Sequence, residues 1–386
     1  MEGIEEFLRK REREGLLRSL RPASCRKNGK IYMANREYID FSSNDYLSLS
    51  NHPKLIAAAK EALGKYGAGS SASRLLSGDL DIHHELEGAV ARLKNKEHAM
   101  VFNSGYQANI GIISSLCAAG DAVFCDRFCH ASIIDGILLS GARLFRFRHN
   151  DPGHLEDILK KERSRYKNIL IVTETVFSMD GDMPLLGPLV DIKARYNGNL
   201  MVDEAHATGV YGASGSGVVE EQGLSREVDY IMGTFGKALG SFGAYLAAAK
   251  SDIDYLVNKC RSFIYSTALP PAIISVNLAS IELLSEEPYR RAKLLESAKL
   301  LREGLKARGF DVRGCSQIIP LVTGDNQRTV AFANSLKELG YWVMPIRPPT
   351  VPEGESRLRF SVVYDHDISI LKRLLDDIST IRQAQG

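Results

Sequence analysis

The sequence predicts an α/β protein, with a mostly parallel sheet in a large domain and a smaller α+β domain after it. Three observations predict this. Between about residues 81 and 250, seven short apolar runs (99–102, 122–125, 144–147, 169–173, 200–202, 230–232 and 243–249) alternate with helix-like stretches. The runs are bounded by Gly, Asp or Pro and do not alternate polar with apolar, the signature of strands buried on both faces. After Pro270-Pro271 the texture changes to long helical patterns and a few separated strand candidates. Strand–helix alternation builds a parallel sheet covered by helices.

Taken in chain order, residues 4–20 set Ile4, Phe7, Leu8, Leu16, Leu17 and Leu20 among charges, an amphipathic helical arm that Pro22 ends. Residues 31–43 alternate like a hairpin turning near Asn35 and Arg36. Residues 52–66 read as a helix with Pro53 in its first turn. The Gly/Ser-rich loop GAGSSASRLLSGD (67–79) follows, and a loop of this length inside a folded domain is usually functional. Beyond the sheet region come a helical pattern over 272–308 broken near 286–288, strands at 318–322, 342–345 and 357–361, and two more helices. The expected division is an arm and hairpin (1–40), a large α/β domain (41–285) and a small α+β domain (286–386).

Composition narrows the function classes. The 386 residues are 44% hydrophobic and 25% charged, ordinary for a globular chain. Lys+Arg (49) nearly balances Asp+Glu (47), and no basic stripe stands out, so nucleic-acid binding is not expected. Six scattered cysteines are no disulfide framework, and the Cys125, Cys129, His130 cluster lacks a second cluster at zinc spacing, so no metal is expected. An acidic N-terminus without an apolar core is no signal peptide, and no run reaches about 18 apolar residues. The expectation is a reduced, cytoplasmic enzyme that meets neither membrane nor nucleic acid.

In an open parallel sheet, ligands bind beyond the carboxyl ends of the strands. The residues at those ends are Asn103 to Tyr106, His130, Glu174 to Asp182, Asp203 to His206, and Thr234 to Lys237. Lys237, in TFGKALGSFG, sits in a glycine-lined turn. Burial there lowers its pKa and suits it to Schiff-base chemistry, although a lone lysine reads far more readily as a surface loop residue. Asp203 ends the run LMVD, where a buried carboxylate needs a cation or donors; the ring nitrogen of pyridoxal 5′-phosphate (PLP) is one such partner. His206, three residues on, is placed for the phenolic oxygen of that ring, and D-E-x-H alone reads also as a metal pair. Gly105 opens a helix after a strand, a turn that bares N–H groups to phosphate. His130 could stack on a ring. Together with the hydroxyls of Ser178 and Thr234, this set matches PLP.

The motifs FSSNDYLSLS (41–50), GSSASRLLSGD (69–79), FNSGYQAN (102–109), TETVFSMDGD (173–182), MVDEAHATG (201–209), TFGKALGSFGA (234–244) and IYSTALPP (264–271) resemble, in order, those of the α-oxoamine synthases, fold type I PLP-dependent enzymes. The resemblance covers essentially the whole chain. It implies that Lys237 carries the cofactor and moves the substrate's α-proton, that Asp203 pairs with the ring nitrogen, and that His206 and Ser178 lie near the phenolic oxygen. It implies that His130 stacks on the ring, that Gly105, Tyr106 and Thr234 serve the phosphate, and that Ser266 and Thr267 reach it from the second subunit of a homodimer. It gives Arg347 the amino-acid carboxylate with Asn44 nearby, and gives Arg18 (or Arg21) and Thr350 the acyl partner. IRPPTVPEG (346–354) and GDNQR (324–328) are similar to the branch that joins L-alanine to a pimeloyl thioester, carried by coenzyme A or acyl carrier protein. The sister enzymes that use glycine with acetyl-CoA share the large-domain motifs, as would an inactive scaffold homologue.

Overall fold

All seven expected runs become strands of one sheet. The computed structural model describes residues 3–14 and 16–385. Across the sheet the order is His98–Phe102, Ala244–Ala248, Tyr230–Thr234, Asn199–Asp203, Ile169–Glu174, Ala122–Asp126 and Arg143–Phe147. Ala244–Ala248 runs against both neighbours and every other pairing is parallel. Alternate residues feed two cores. Phe124, Ile171 and Val202 point to one, while Val123, Cys125, Val172 and Met201 point to the other. Neither face meets water except on the edge strand Arg143–Phe147, whose arginines are exposed, which is why the other runs carry no polar alternation.

The helices begin and end where their chemistry changes. His52 caps Pro53–Tyr66 by accepting a bond from Lys54 N at 3.2 Å. The long helical pattern is two helices, Pro271–Glu286 and Tyr289–Ala307. Pro288 separates them, because proline disfavours helical backbone in the residue before it. The C-terminal part holds an antiparallel sheet ordered Ile318–Gly324, Ser356–Ser361, Pro345–Ile346, with helices Asn326–Glu338 and Ile368–Gln385.

Two expectations are corrected. The arm helix spans only Ile4–Arg13, with Glu14 as its C-cap, and does not reach Pro22. None of its residues is buried, and a short helix whose apolar stripe finds no partner does not propagate. Residues 16–21 instead run irregularly along a groove, where Arg18 Nη2 donates to Thr350 Oγ1 at 3.2 Å. The single strand expected at 342–345 is two. Tyr341–Trp342 pairs in parallel with Arg36–Asp40 of the N-terminal hairpin, and Pro345–Ile346 pairs with Ser356–Ser361. Packing of Trp342 on Met33 and Tyr38, with the Tyr38 and Trp342 rings 5.9 Å apart, draws the chain to the hairpin. The hairpin therefore shares a sheet with the C-terminal segment.

Parallel strands aim their carboxyl ends at one rim. The strand Ser356–Ser361 closes over it. Fully buried Arg357 reaches Asp180 Oδ1 at 2.6 Å and Glu355 Oε2 at 2.9 Å, and Ser361 N donates to Phe41 O at 2.7 Å. Among the described residues no helix is long and apolar enough to cross a membrane, and all six cysteines are free thiols.

Candidate active site

Sheet register decides which rim residues meet. Glu174 and Asp203 are paired across adjacent strands, so two buried carboxylates lie side by side. Asp203 is well supplied with donors: Asn109 Nδ2 reaches Oδ2 at 2.9 Å and Ala205 N reaches Oδ1 at 2.8 Å. Glu174 accepts from His130 N at 2.6 Å. Burial, and then the charge of Asp203, push the Glu174 carboxyl up to about 8. The shift favours the protonated form, which lessens the negative charge gathered at the rim.

Lys237 follows the strand Tyr230–Thr234. Burial pulls its ammonium down to about 8 against the opposing pull of Asp203 and Glu174, and the nearby Arg359 guanidinium lowers it further. Among the described residues Nζ has no hydrogen-bond or ion-pair partner. A desolvated, unpaired amine of this kind is a competent nucleophile and base.

His206 is neutral. Burial first, then the charges of Lys237, Arg359 and His130, hold its imidazolium well below the ordinary range. Tyr46 Oη lies 2.7 Å from its Nδ1, and Gln317 Nε2 donates to its carbonyl at 2.8 Å. His130 caps the helix Ala131–Ser140, with Nδ1 2.8 Å from Ser132 Oγ, and Tyr106 meets its ring edge-on at 6.3 Å. Gly105 opens the helix Gly105–Leu116; a Cβ there would lie 3.1 Å from Met232 Cε. Thr234 Oγ1 donates to Gly243 O at 2.7 Å and accepts from Gly236 N at 3.1 Å.

Other sequence-derived candidates fall elsewhere. Ser266 Oγ accepts from Gln107 Nε2 at 2.8 Å, and Thr267 bridges to Ser73, beside the exposed Leu75, Leu76 and Tyr265. Arg347 lies with Arg18 and Thr350 in a groove of about 790 Å³, walled by Leu16, Leu17, Trp342 and Ile346. Asn44 meets a second arginine. Its Oδ1 lies 3.3 Å from Nη1 and Nη2 of Arg359, whose Nε donates to Ser178 O at 2.6 Å. Arg359 is the residue that sequence reasoning missed. The signal was there: in SRLRFS two arginines alternate with Leu358 and Phe360, and charges facing inward from a buried strand require a ligand or partners. Asn109 and Tyr46 were also passed over, both inside the quoted motifs, and Glu174 was placed on the rim without a role.

Behind the rim lies a second charged pair. Lys94 Nζ donates to Glu204 Oε2 at 2.6 Å and to Thr208 Oγ1 at 3.1 Å, and Val219 N donates to Glu204 Oε1 at 2.9 Å. Both side chains are wholly buried. This pair anchors the turn between Asp203 and His206 from beneath. Lys94→Met is expected to cost about 3–5 kcal/mol in denaturant unfolding, because it strands a buried carboxylate. Adding Glu204→Gln should recover much of that loss, and an additive double mutant would show the two groups to be uncoupled.

The residues present suit PLP. Asp203 offers a carboxylate for a ring nitrogen, Lys237 an unpaired amine for an aldehyde, Thr234 and the helix at Gly105 donors for a phosphate. Asn109 Oδ1 and Ser241 Oγ are buried without partners.

A mixed sheet of this order, with lysine, aspartate and histidine gathered on one rim, defines a PLP-dependent transferase fold of type I. The chain belongs to the aminotransferase class I and II family, whose model matches residues 36–378, and within it to the α-oxoamine synthases. Curated relatives carry the name 8-amino-7-oxononanoate synthase. That of Geobacter sulfurreducens is 46% identical over 97% of this chain and 96% of its own length, and that of Pelobacter propionicus 45% identical over 99% and 98%. Among solved structures, a serine palmitoyltransferase from S. paucimobilis with bound PLP superposes with a TM-score of 0.92 at 31% identity, covering 99% of this chain and 97% of that one.

Proposed function

We propose that this chain joins L-alanine to a pimeloyl thioester, releasing carbon dioxide and the thiol, to give 8-amino-7-oxononanoate for biotin synthesis. The observation that carries the reading is Lys237: a desolvated, unpaired amine in the combined fields of Asp203, Glu174 and Arg359. The names of the relatives supply the substrates.

When bound, PLP supplies a protonated ring that absorbs negative charge from the amino acid's α-carbon. The chain does the rest. Asp203 holds the ring nitrogen's proton, and His206, neutral, offers one ring N–H as a donor. His130 covers the ring face. Lys237 takes and returns the proton at the α-carbon. Gly105, Tyr106 and Thr234 serve the phosphate, with Ser266 and Thr267 of a second copy; the exposed Leu75, Leu76 and Tyr265 beside them support a homodimer.

Arg359, rather than Arg347, takes the alanine carboxylate, supported by its contact with Asn44 and its nearness to Lys237. Arg18, Arg347 and Thr350 take the acyl chain, supported by the apolar groove they line. Arg359→Ala should raise the KM for alanine about 10- to 100-fold and leave the thioester KM unchanged. Arg347→Ala should do the reverse, and the opposite pattern would return the carboxylate to Arg347. The substrates are tested by crossing alanine and glycine with pimeloyl-CoA, pimeloyl-acyl carrier protein and acetyl-CoA. Faster turnover of glycine with acetyl-CoA would overturn the reading. Six unpaired thiols support a cytoplasmic setting.

A further inference from the structure

His149 stands outside the site, yet it bridges two of the loops that build it. Its Nδ1 lies 2.9 Å from Asp126 Oδ1 and its Nε2 lies 2.8 Å from Asp182 Oδ2. Asp126 ends the strand next to the sheet edge, four residues before His130, and its carboxylate also accepts from Phe128 N at 2.9 Å and Asn150 N at 2.8 Å. Asp182 closes the turn that follows Ser178, and its carbonyl accepts from Phe177 N at 3.0 Å. Each loop also lays an aromatic ring on the imidazole, Phe128 at 4.6 Å and Phe177 at 4.4 Å.

We propose that His149 is a positioning residue for the active site, an imidazolium clamp that ties the loop presenting His130 to the loop presenting Ser178. A neutral imidazole has one donor and one acceptor nitrogen. Carboxylates facing both nitrogens require both to carry protons. The clamp extends further, because Ser178 O receives Arg359 Nε at 2.6 Å and Arg359 neighbours Asn44. Loss of the clamp therefore loosens His130 and Arg359 together.

Electrostatics agree with this geometry. Burial opposes the charge on His149, but the hydrogen bonds it donates to Asp126 and Asp182 outweigh that and raise the group to about 9. The other charges nearby are occupied or more distant. Arg148 pairs with Asp151 at 2.8 Å and gives its N–H to His154, Arg127 lies over Phe128 at 4.6 Å, Glu174 lies beyond Asp126, and Cys315 faces Asp182. A group whose folded pKa is raised stabilises fully below its unfolded value near 6.5 and loses that contribution as pH passes about 9.

The clamp rests on the proposed use of PLP, and the test separates the two. Apoprotein is titrated with PLP, following the visible band, for the wild type, His149→Gln and Asp182→Asn at pH 7.5 and pH 10. At pH 7.5 the Gln variant should bind PLP about tenfold more weakly, and at pH 10 the wild type should fall to meet it. Lys237 is present in every variant, so its titration cancels. Melting of the apoproteins should show the same convergence, and Asp182→Asn should move it to lower pH. Equal PLP affinity at pH 7.5, or a melting difference that does not change with pH, would overturn the clamp. A wild type that takes up no PLP would overturn the functional reading, and the melting comparison would still decide the clamp.

Discussion

Lys237→Ala should abolish turnover, by a factor of about 10⁴ or more, and leave a folded, more stable apoprotein. The loss follows from removing both the group that tethers the cofactor and the base at the α-carbon; positioned proton transfer alone contributes about 10²–10⁴. The stability gain follows from the sign of the pKa shift. The folded protein holds the amine near 8, against an ordinary value of 10.5. Keeping the ammonium in the folded state therefore costs stability, fully below about pH 8 and not at all above about pH 10.5. Alanine removes a penalty on the order of 1–3 kcal/mol at pH 7. Unfolding curves for the two apoproteins at pH 7 and pH 10.5 check this, and a variant less stable at pH 7 would contradict it. Borohydride treatment of PLP-loaded wild type, followed by peptide mapping, should find the pyridoxyl label on Lys237 and nowhere else.

Asp203→Asn should lower turnover by at least about 10²-fold, with the fold intact. An amide of the same shape keeps the backbone contact to Ala205 but cannot hold a proton on a ring nitrogen, and a charge-assisted bond of that kind is worth about 1.5–3 kcal/mol. The same change should also lower the Glu174 pKa, because the Asp203 charge is the second cause of its rise after burial. Glu174→Gln should then be mild, since burial and the Asp203 charge already favour the neutral form of Glu174. Turnover of Asp203→Asn within threefold of wild type would show that the aspartate is structural only.

The parallel sheet was legible because a strand buried on both faces has to be apolar throughout, and no other element of that length does. The rim was legible for the same reason: the first polar residue after each such run, Glu174, Asp203 or Thr234, stands at the strand's carboxyl end. Lys237 gained meaning only beside Asp203, since either alone fits a loop or a capped turn. The arm was misread because periodicity in residues 4–20 registers an apolar face without registering whether anything covers it. The strand at 342–345 was misread because pairing depends on partners more than 300 residues away in sequence, and the Trp342–Tyr38 contact is one of them.

Local sequence determined which residues stand at the mouth of the sheet, because strand and helix periods are short-range properties of the chain. It gave no ground for proposing Arg359 rather than Arg347 for the amino acid. Arg347 and Arg359 lie in the same C-terminal stretch, and the proposal turns on the docking of one strand against Asn44 and Ser178. Nor could it show that the Glu174 carboxyl is pushed up or that His149 joins two loops. Both facts arise from carboxylates brought together across distant segments in a dry interior, where the energy depends on distance and desolvation and not on position along the chain.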